Sequence, residues 1–175
     1  MDLPARSLYV LRHGKAEEAA PGGGGDRGRV LKRRGRKDAK RAGRYLALLG
    51  EAPELVLTSD AARARETAEL AHEAGAFAAR LELRPAIYDA GAKELLAELR
   101  ATSAAVRRLM LVGHQPGLAL LIGELTGSEP EFPTAALARV DVDVERWSEL
   151  APKRGKLAWL VTPEVLAALR PKGDE

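Results

Sequence analysis

The sequence predicts an α/β fold: a three-layer sandwich with a mostly parallel central sheet and one antiparallel edge strand. Three observations carry this. Short apolar runs at Leu8–Leu11, Leu55–Leu57 and Leu109–Val112 are each followed by a segment with helical periodicity, the alternation that builds parallel sheets covered on both faces. Each run is uninterrupted by polar residues, as a strand buried on both sides requires. Late in the chain, Ala138-Arg139-Val140-Asp141-Val142-Asp143-Val144 alternates with period two, which marks a strand with one face in water, hence an edge or antiparallel strand.

Taken in order, the first strand ends in Arg12-His13-Gly14, and residues 15–28 follow as a loop containing four consecutive glycines, Gly22 to Gly25. Such a run holds no regular structure, so a mobile loop is expected beside the strand end. It is not a P-loop, because no Gly-Lys-Ser/Thr follows it. From Arg33 to Gly50 a helix is expected, with Ala39, Ala42, Leu46 and Leu49 on one stripe and Arg36, Lys37, Lys40, Arg41 and Arg44 over the rest. After the strand at Leu55–Leu57, any of Thr58, Ser59 or Asp60 can cap a helix running to about Gly75. Residues 81–87 read as a strand and Lys93 to about Ser103 as a short helix. The strand Leu109–Val112 runs into Gly113-His114-Gln115-Pro116-Gly117, where Pro116 suits the first position of a further helix. Residues 138–144 and 156–161 are the last strands, and Thr162-Pro163 opens a terminal helix.

Composition narrows the function classes. The chain has 175 residues, a length suited to a single domain over 1–175, and 46% of them are hydrophobic but only 4% aromatic, so Leu, Val and Ala must pack the core. With no cysteine, disulfides, thiol catalysis and cysteine-ligated metals are excluded. Neither a secretory signal pattern nor an apolar run of about 18 residues occurs, so a cytoplasmic protein without a membrane span is expected. Net charge is +3, yet nearly every second residue from Arg27 to Arg44 is basic. That block suits an anionic partner, or is a solvated helix face.

Of three histidines, two end strands in glycine-flanked turns: His13 and His114. His72 lies mid-helix and reads as structural or surface. In an open α/β sheet, ligands bind beyond the carboxyl ends of the strands, so Arg12, His13 and His114 converge there. Arg63, in the first turn of its helix, leans back toward the same crevice because helical side chains tilt to the N-terminus. Two imidazoles and two guanidiniums match phosphoryl transfer, with one imidazole attacking phosphorus while cations hold the oxygens. The same arginines repel a metal ion, and no cofactor or metal is expected.

Arg12-His13-Gly14, the segment Ser59-Asp60-Ala61-Ala62-Arg63-Ala64-Arg65-Glu66-Thr67 and Gly113-His114 together resemble, in order and spacing, the three motifs of the histidine phosphatase (phosphoglycerate mutase-like) superfamily. The short chain and the tail Gly155–Pro163 are most similar to its SixA-type phosphohistidine phosphatases. The resemblance implies that His13 is the nucleophile, and that Arg12, Arg63 and His114 bind phosphate. It departs from the family's mutases in lacking an obvious acid after the third strand. Asp89 and Glu17 are the candidates, with Glu18 beside them.

The leading expectation is a phosphatase that removes phosphate from phosphohistidine on a signalling or carrier protein, such as a histidine-phosphotransfer domain steered by the basic block. A broad-specificity or small-molecule phosphomonoesterase using Asp89 or Glu17 is the alternative. A polyanion-binding protein acting through the basic helix 33–44 is a further one, although nucleic acid is not the favoured partner.

Overall fold

The computed structural model describes residues 6–169; residues 1–5, part of the N-terminal stretch without a signal pattern, and residues 170–175 lie outside it. Eleven principal elements alternate along the chain: β1 Arg6–Arg12, α1 Arg33–Leu48, β2 Leu55–Thr58, α2 Ala62–Ala74, β3 Arg80–Leu83, α3 Ala92–Arg100, β4 Arg108–Gly113, α4 Gly117–Thr126, β5 Leu137–Val142, β6 Gly155–Val161 and α5 Pro163–Ala168. The strands form one six-stranded sheet in the order β3-β2-β4-β1-β5-β6.

Pleating sorts the apolar runs to two faces. Leu8, Val10, Leu55, Leu57, Leu109 and Leu111 point to one side, where Leu95, Leu99, Leu118 and Leu121 of α3 and α4 cover them. Their neighbours Tyr9, Leu11, Val56, Met110 and Val112 point to the other, under Ala42 and Leu46 of α1, Ala64, Ala68 and Ala71 of α2, and Leu166 of α5. This is the three-layer sandwich that uninterrupted apolar strands demand. Alanine supplies much of the second layer, which lets α1 and α2 approach closely: a Cβ on Gly43 would collide with the carbonyl of Ala71.

Only β5 runs against the rest, pairing antiparallel with β1 and with β6. It lies one position in from the edge, and β6 is the edge strand. Its period-two pattern comes from a polar network rather than open water: Arg139 binds Asp141 at 2.7 Å and Glu51 at 2.5 Å, and Tyr9 donates to Glu51 at 3.1 Å.

Other differences from expectation have local causes. The third strand stops at Leu83 and Pro85–Ile87 forms a single 3₁₀ turn; Pro85 has no N–H to continue a ladder and restricts Arg84 before it. Leu49 is exposed, because α1 ends at Leu48 and Gly50 takes a left-handed turn at φ 67°. Asp38, by contrast, is buried on α1, where Arg34 and Arg41 neutralise it at 3.6 and 2.8 Å. The glycine run is not featureless. It forms 3₁₀ turns at Pro21–Gly23 and Asp26–Gly28, with Gly22, Gly23 and Gly25 at positive φ.

The sheet's centre predicts its own sensitivity. Leu111 on β4 is fully buried between α-helical layers, so Leu111→Ala is expected to cost about 2–5 kcal/mol of unfolding free energy in a urea titration.

Candidate active site

Strands β2, β4 and β1 are adjacent and parallel, and their carboxyl ends are level: Thr58 pairs with Val112, and Arg12 with Gly113. Ser59, His114 and His13 therefore leave the sheet at one place. The His13 amide donates to the Gly113 carbonyl at 3.1 Å and the Ser59 amide to that of Val112 at 3.1 Å. Gly14 turns the chain away beneath the start of α1, where a Cβ would come within 2.7 Å of the Gly35 carbonyl oxygen. The Gly14 amide donates to Thr67 Oγ1 at 3.0 Å, and that hydroxyl donates to the Arg63 carbonyl at 2.7 Å. One threonine thus fastens α2 to the Arg12-His13-Gly14 turn.

His13 is 8% exposed. Its Nδ1 lies 2.8 Å from the Gly14 carbonyl, an acceptor only, so Nδ1 carries the proton and Nε2 presents its lone pair. Facing that lone pair, Arg63 Nε stands 3.4 Å away. Burial pushes the His13 pKa down from 6.5 to about 3, with His114, Arg63 and Arg12 adding to the effect and the Gly14 hydrogen bond opposing it. The sequence places the cause in the arginines; desolvation outweighs them because the ring is shut off from water.

His114 Nε2 lies 2.8 Å from Ser59 Oγ, and that oxygen already accepts from the Ala61 amide at 3.2 Å. The serine hydroxyl is then free to donate to Nε2, which places the proton of a neutral ring on Nδ1. Among the described residues this Nδ1 is buried with no hydrogen-bond partner, as is Arg12 Nε. Such orphan donors each cost about 1–3 kcal/mol in a folded protein. The His114 pKa is lowered to about 4 by burial, then by Arg63, and its ring centroid is 5.2 Å from that of His13. Arg12 also donates through Nη1 to the Phe132 carbonyl at 3.0 Å, which fixes its guanidinium. Ser59 accepts from an amide two residues on, while α2 begins after Ala61 with no side-chain cap; the hydroxyl expected to cap the helix serves the histidine instead.

All four residues singled out in the sequence, Arg12, His13, Arg63 and His114, meet in this crevice. Arg65 turns outward to Glu69 at 3.7 Å. His72 binds the Ala79 carbonyl at 2.7 Å through Nε2 and packs edge-on against Phe77, a structural role. The acid candidates stand apart. Glu17 and Asp89 are both exposed, and Asp89 acts on His114 only through space. Two residues that sequence reasoning passes over join the site. Asp26 accepts from Arg63 Nη2 at 3.0 Å and from the Tyr88 hydroxyl at 2.6 Å. Tyr88 stands edge-on to His114 at 5.6 Å between ring centroids. A signal for Asp26 existed, since it is the one acid between Glu18 and Asp38. Among the described residues, no group of three or more His, Cys, Asp or Glu side chains is placed to hold a metal ion, and no helix is long and apolar enough to cross a membrane.

Comparison with known proteins points the same way. Residues 8–95 match the model of the histidine phosphatase superfamily (branch 1). An uncharacterised Mycobacterium tuberculosis protein, Rv1276c, is 32% identical over 153 residues, covering 81% of this chain and 92% of its own. Among solved structures, one assigned to phosphohistidine phosphatase SixA from Nakamurella multipartitia superposes with TM-score 0.78 and 27% identity, over 92% of this chain and 99% of that one. The protein histidine phosphatase SixA complexed with tungstate gives TM-score 0.79 and 25% identity, over 91% and 99% of the two chains.

The depressed histidine pKa values have a measurable sign. Both rings stay neutral as pH falls through 6.5 and protonate only toward about 3 for His13 and about 4 for His114. In the unfolded chain they protonate near the ordinary value, so their contribution to stability is present above it and is lost as pH falls toward the folded values. Nitrogen-15 NMR titration of the imidazoles is expected to show two rings with no protonation near 6.5; a midpoint at the ordinary value for His13 contradicts the burial argument.

Proposed function

The chain belongs to the histidine phosphatase superfamily, and from that premise we propose that it is a phosphatase using a covalent phosphohistidine at His13, acting on phosphohistidine carried by another protein. The observation that carries this is the neutral, buried His13 with Nδ1 committed to the Gly14 carbonyl and Nε2 left as an acceptor, met by a long 3.4 Å hydrogen bond from Arg63 Nε.

In the first step the Nε2 lone pair attacks phosphorus. A P–N bond forms to His13 as the bond to the substrate's imidazole breaks, and that ring leaves with a proton from solvent. Arg12, Arg63 and the His114 Nδ1–H hold the phosphoryl oxygens, whose charge is spread in the transition state. In the second step water attacks the phosphorus of phosphorylated His13, the P–N pair returns to Nε2, and the water proton leaves with inorganic phosphate or solvent. Both imidazole nitrogens of His13 thus keep one role throughout, which the Gly14 hydrogen bond enforces.

A phosphoramidate leaving group needs no buried carboxylic acid beside it, and no carboxylate touches the His13 or His114 ring among the described residues. This supports phosphohistidine over an alkyl ester, together with the likeness to proteins described as SixA. The phosphomonoesterase reading rests on Asp89, whose charge already acts on His114; Glu17, exposed and tied to the fold through its backbone, supports it less.

The basic block also takes a definite form. Arg36 is engaged by Glu66, and Arg41 by Asp38. Arg33, Lys37, Lys40 and Arg44 are exposed and recur at helical spacing along one face of α1. We assign this stripe to electrostatic steering of an acidic phosphoprotein.

Rapid quench with a radiolabelled phosphorylated phosphotransfer domain is expected to trap an acid-labile phosphoenzyme. His13→Ala should abolish it and lower kcat by about 10,000-fold or more; an acid-stable adduct, or none, refutes the mechanism. Raising ionic strength should lower kcat/KM for that protein substrate while leaving an aryl phosphate nearly unaffected. Faster turnover of sugar or aryl phosphates than of the phosphoprotein favours the esterase reading instead.

A further inference from the structure

We propose that Asp26 is a positioning residue for phosphoryl binding, holding the Arg63 guanidinium so that its side-on pair of N–H donors faces His13. This rests on the phosphatase reading of the site. A guanidinium offers two parallel forks: an end-on fork from Nη1 and Nη2, and a side-on fork from Nε and Nη2. In this protein the end-on fork is consumed by one residue. Arg63 Nη1 donates to the Asp26 carbonyl at 2.8 Å and Nη2 to its carboxylate Oδ2 at 3.0 Å. The side-on fork is left directed at the site, with Nε 3.4 Å from the nucleophilic Nε2 of His13. A phosphoryl group on that nitrogen meets two parallel donors without any rotation of Arg63.

Asp26 can serve as a fixed reference because it is itself held from both sides. Arg29 donates to Oδ1 at 3.0 Å and Tyr88 to Oδ2 at 2.6 Å. Tyr88 in turn lies under the Arg27 guanidinium, 4.2 Å from its ring centroid, and Arg27 pairs with Asp60 at 3.4 Å. The Tyr88 hydroxyl, followed by Arg29, keeps the Asp26 carboxyl well below the usual carboxylate range. It is therefore a permanent anion, unsuited to donate a proton and suited to anchor a cation. Gly25 before it has φ 65°, a conformation that lets the chain deliver both the carbonyl and the carboxylate of one residue to one guanidinium.

The alternative for the same contact is competition, in which the carboxylate occupies Arg63 in place of the substrate's phosphoryl group. The two differ in sign. Positioning predicts that losing the carboxylate weakens oxyanion binding; competition predicts that it strengthens it.

The test is a double-mutant cycle on full-length protein with orthovanadate as the probe, its affinity measured by calorimetry. Asp26→Asn and Asp26→Ala should each weaken vanadate binding and lower kcat/KM by about 10-fold to 100-fold, the range a misplacement near 1 Å produces. Because the Asp26 side chain is 48% exposed, thermal melts should show the variants folded. In an Arg63→Ala background the same substitutions should add nothing, since a residue acting only through Arg63 has nothing left to position. Additive losses, unchanged affinity, tighter vanadate binding in Asp26→Asn, or no vanadate binding by the wild type each overturn the proposal. Vanadate binding requires no turnover, so a missing phosphoenzyme sinks the proposed function separately while the cycle still judges Asp26.

Discussion

Two guanidiniums and two imidazoles share one crevice, and the fold must hold that positive charge together in a place with little water. Like charges at this range repel strongly when the dielectric is low. The protein meets the constraint by removing charge where it can and tethering it where it cannot. Both rings are kept neutral, chiefly by burial. Arg63 is tied to an ionised carboxylate and Arg12 to a carbonyl. What remains is a field directed at one spot, with donors that the protein itself leaves unsatisfied.

Neutrality and direction are linked. In the proposed mechanism a protonated His13 would present N–H where the attacking lone pair belongs, and the Gly14 carbonyl would then no longer distinguish its two nitrogens. Burial and a single backbone hydrogen bond therefore do the work that a carboxylate does in a serine-histidine-aspartate triad: they choose the tautomer and aim the ring. The companion histidine uses the same logic through a hydroxyl: Ser59 fixes one nitrogen of His114, which leaves the proton of the neutral ring on the other.

Much of this was legible in the sequence, for physical reasons. Residues that leave buried parallel strands at their carboxyl ends must gather at one edge of the sheet, so Arg12, His13 and His114 could be placed from periodicity and glycine punctuation alone. Arg63 followed from the tilt of helical side chains. Asp26 stood out only as an isolated acid, and neither it nor Tyr88 could be placed at the site, because each reaches it from a non-repetitive segment whose path depends on tertiary anchors: positive-φ glycines for one, the Pro85 turn for the other. The position of β5 was hidden for a related reason. An alternating strand covered by a Glu51–Arg139–Asp141 network looks, residue by residue, like one covered by water.

The glycine contact between α1 and α2 has a mechanical meaning. Gly43 meets the backbone of Ala71 with no side chain between them to yield, so the joint is stiff. Arg63 lies eight residues up the same helix, about 12 Å away at 1.5 Å per residue. Helix α2 is then pinned near its C-terminal end by backbone and at its middle by Thr67 on the Gly14 turn. A side chain added at Gly43 therefore has to displace α2 itself, the helix that carries Arg63, because no soft packing lies in between to take up the change.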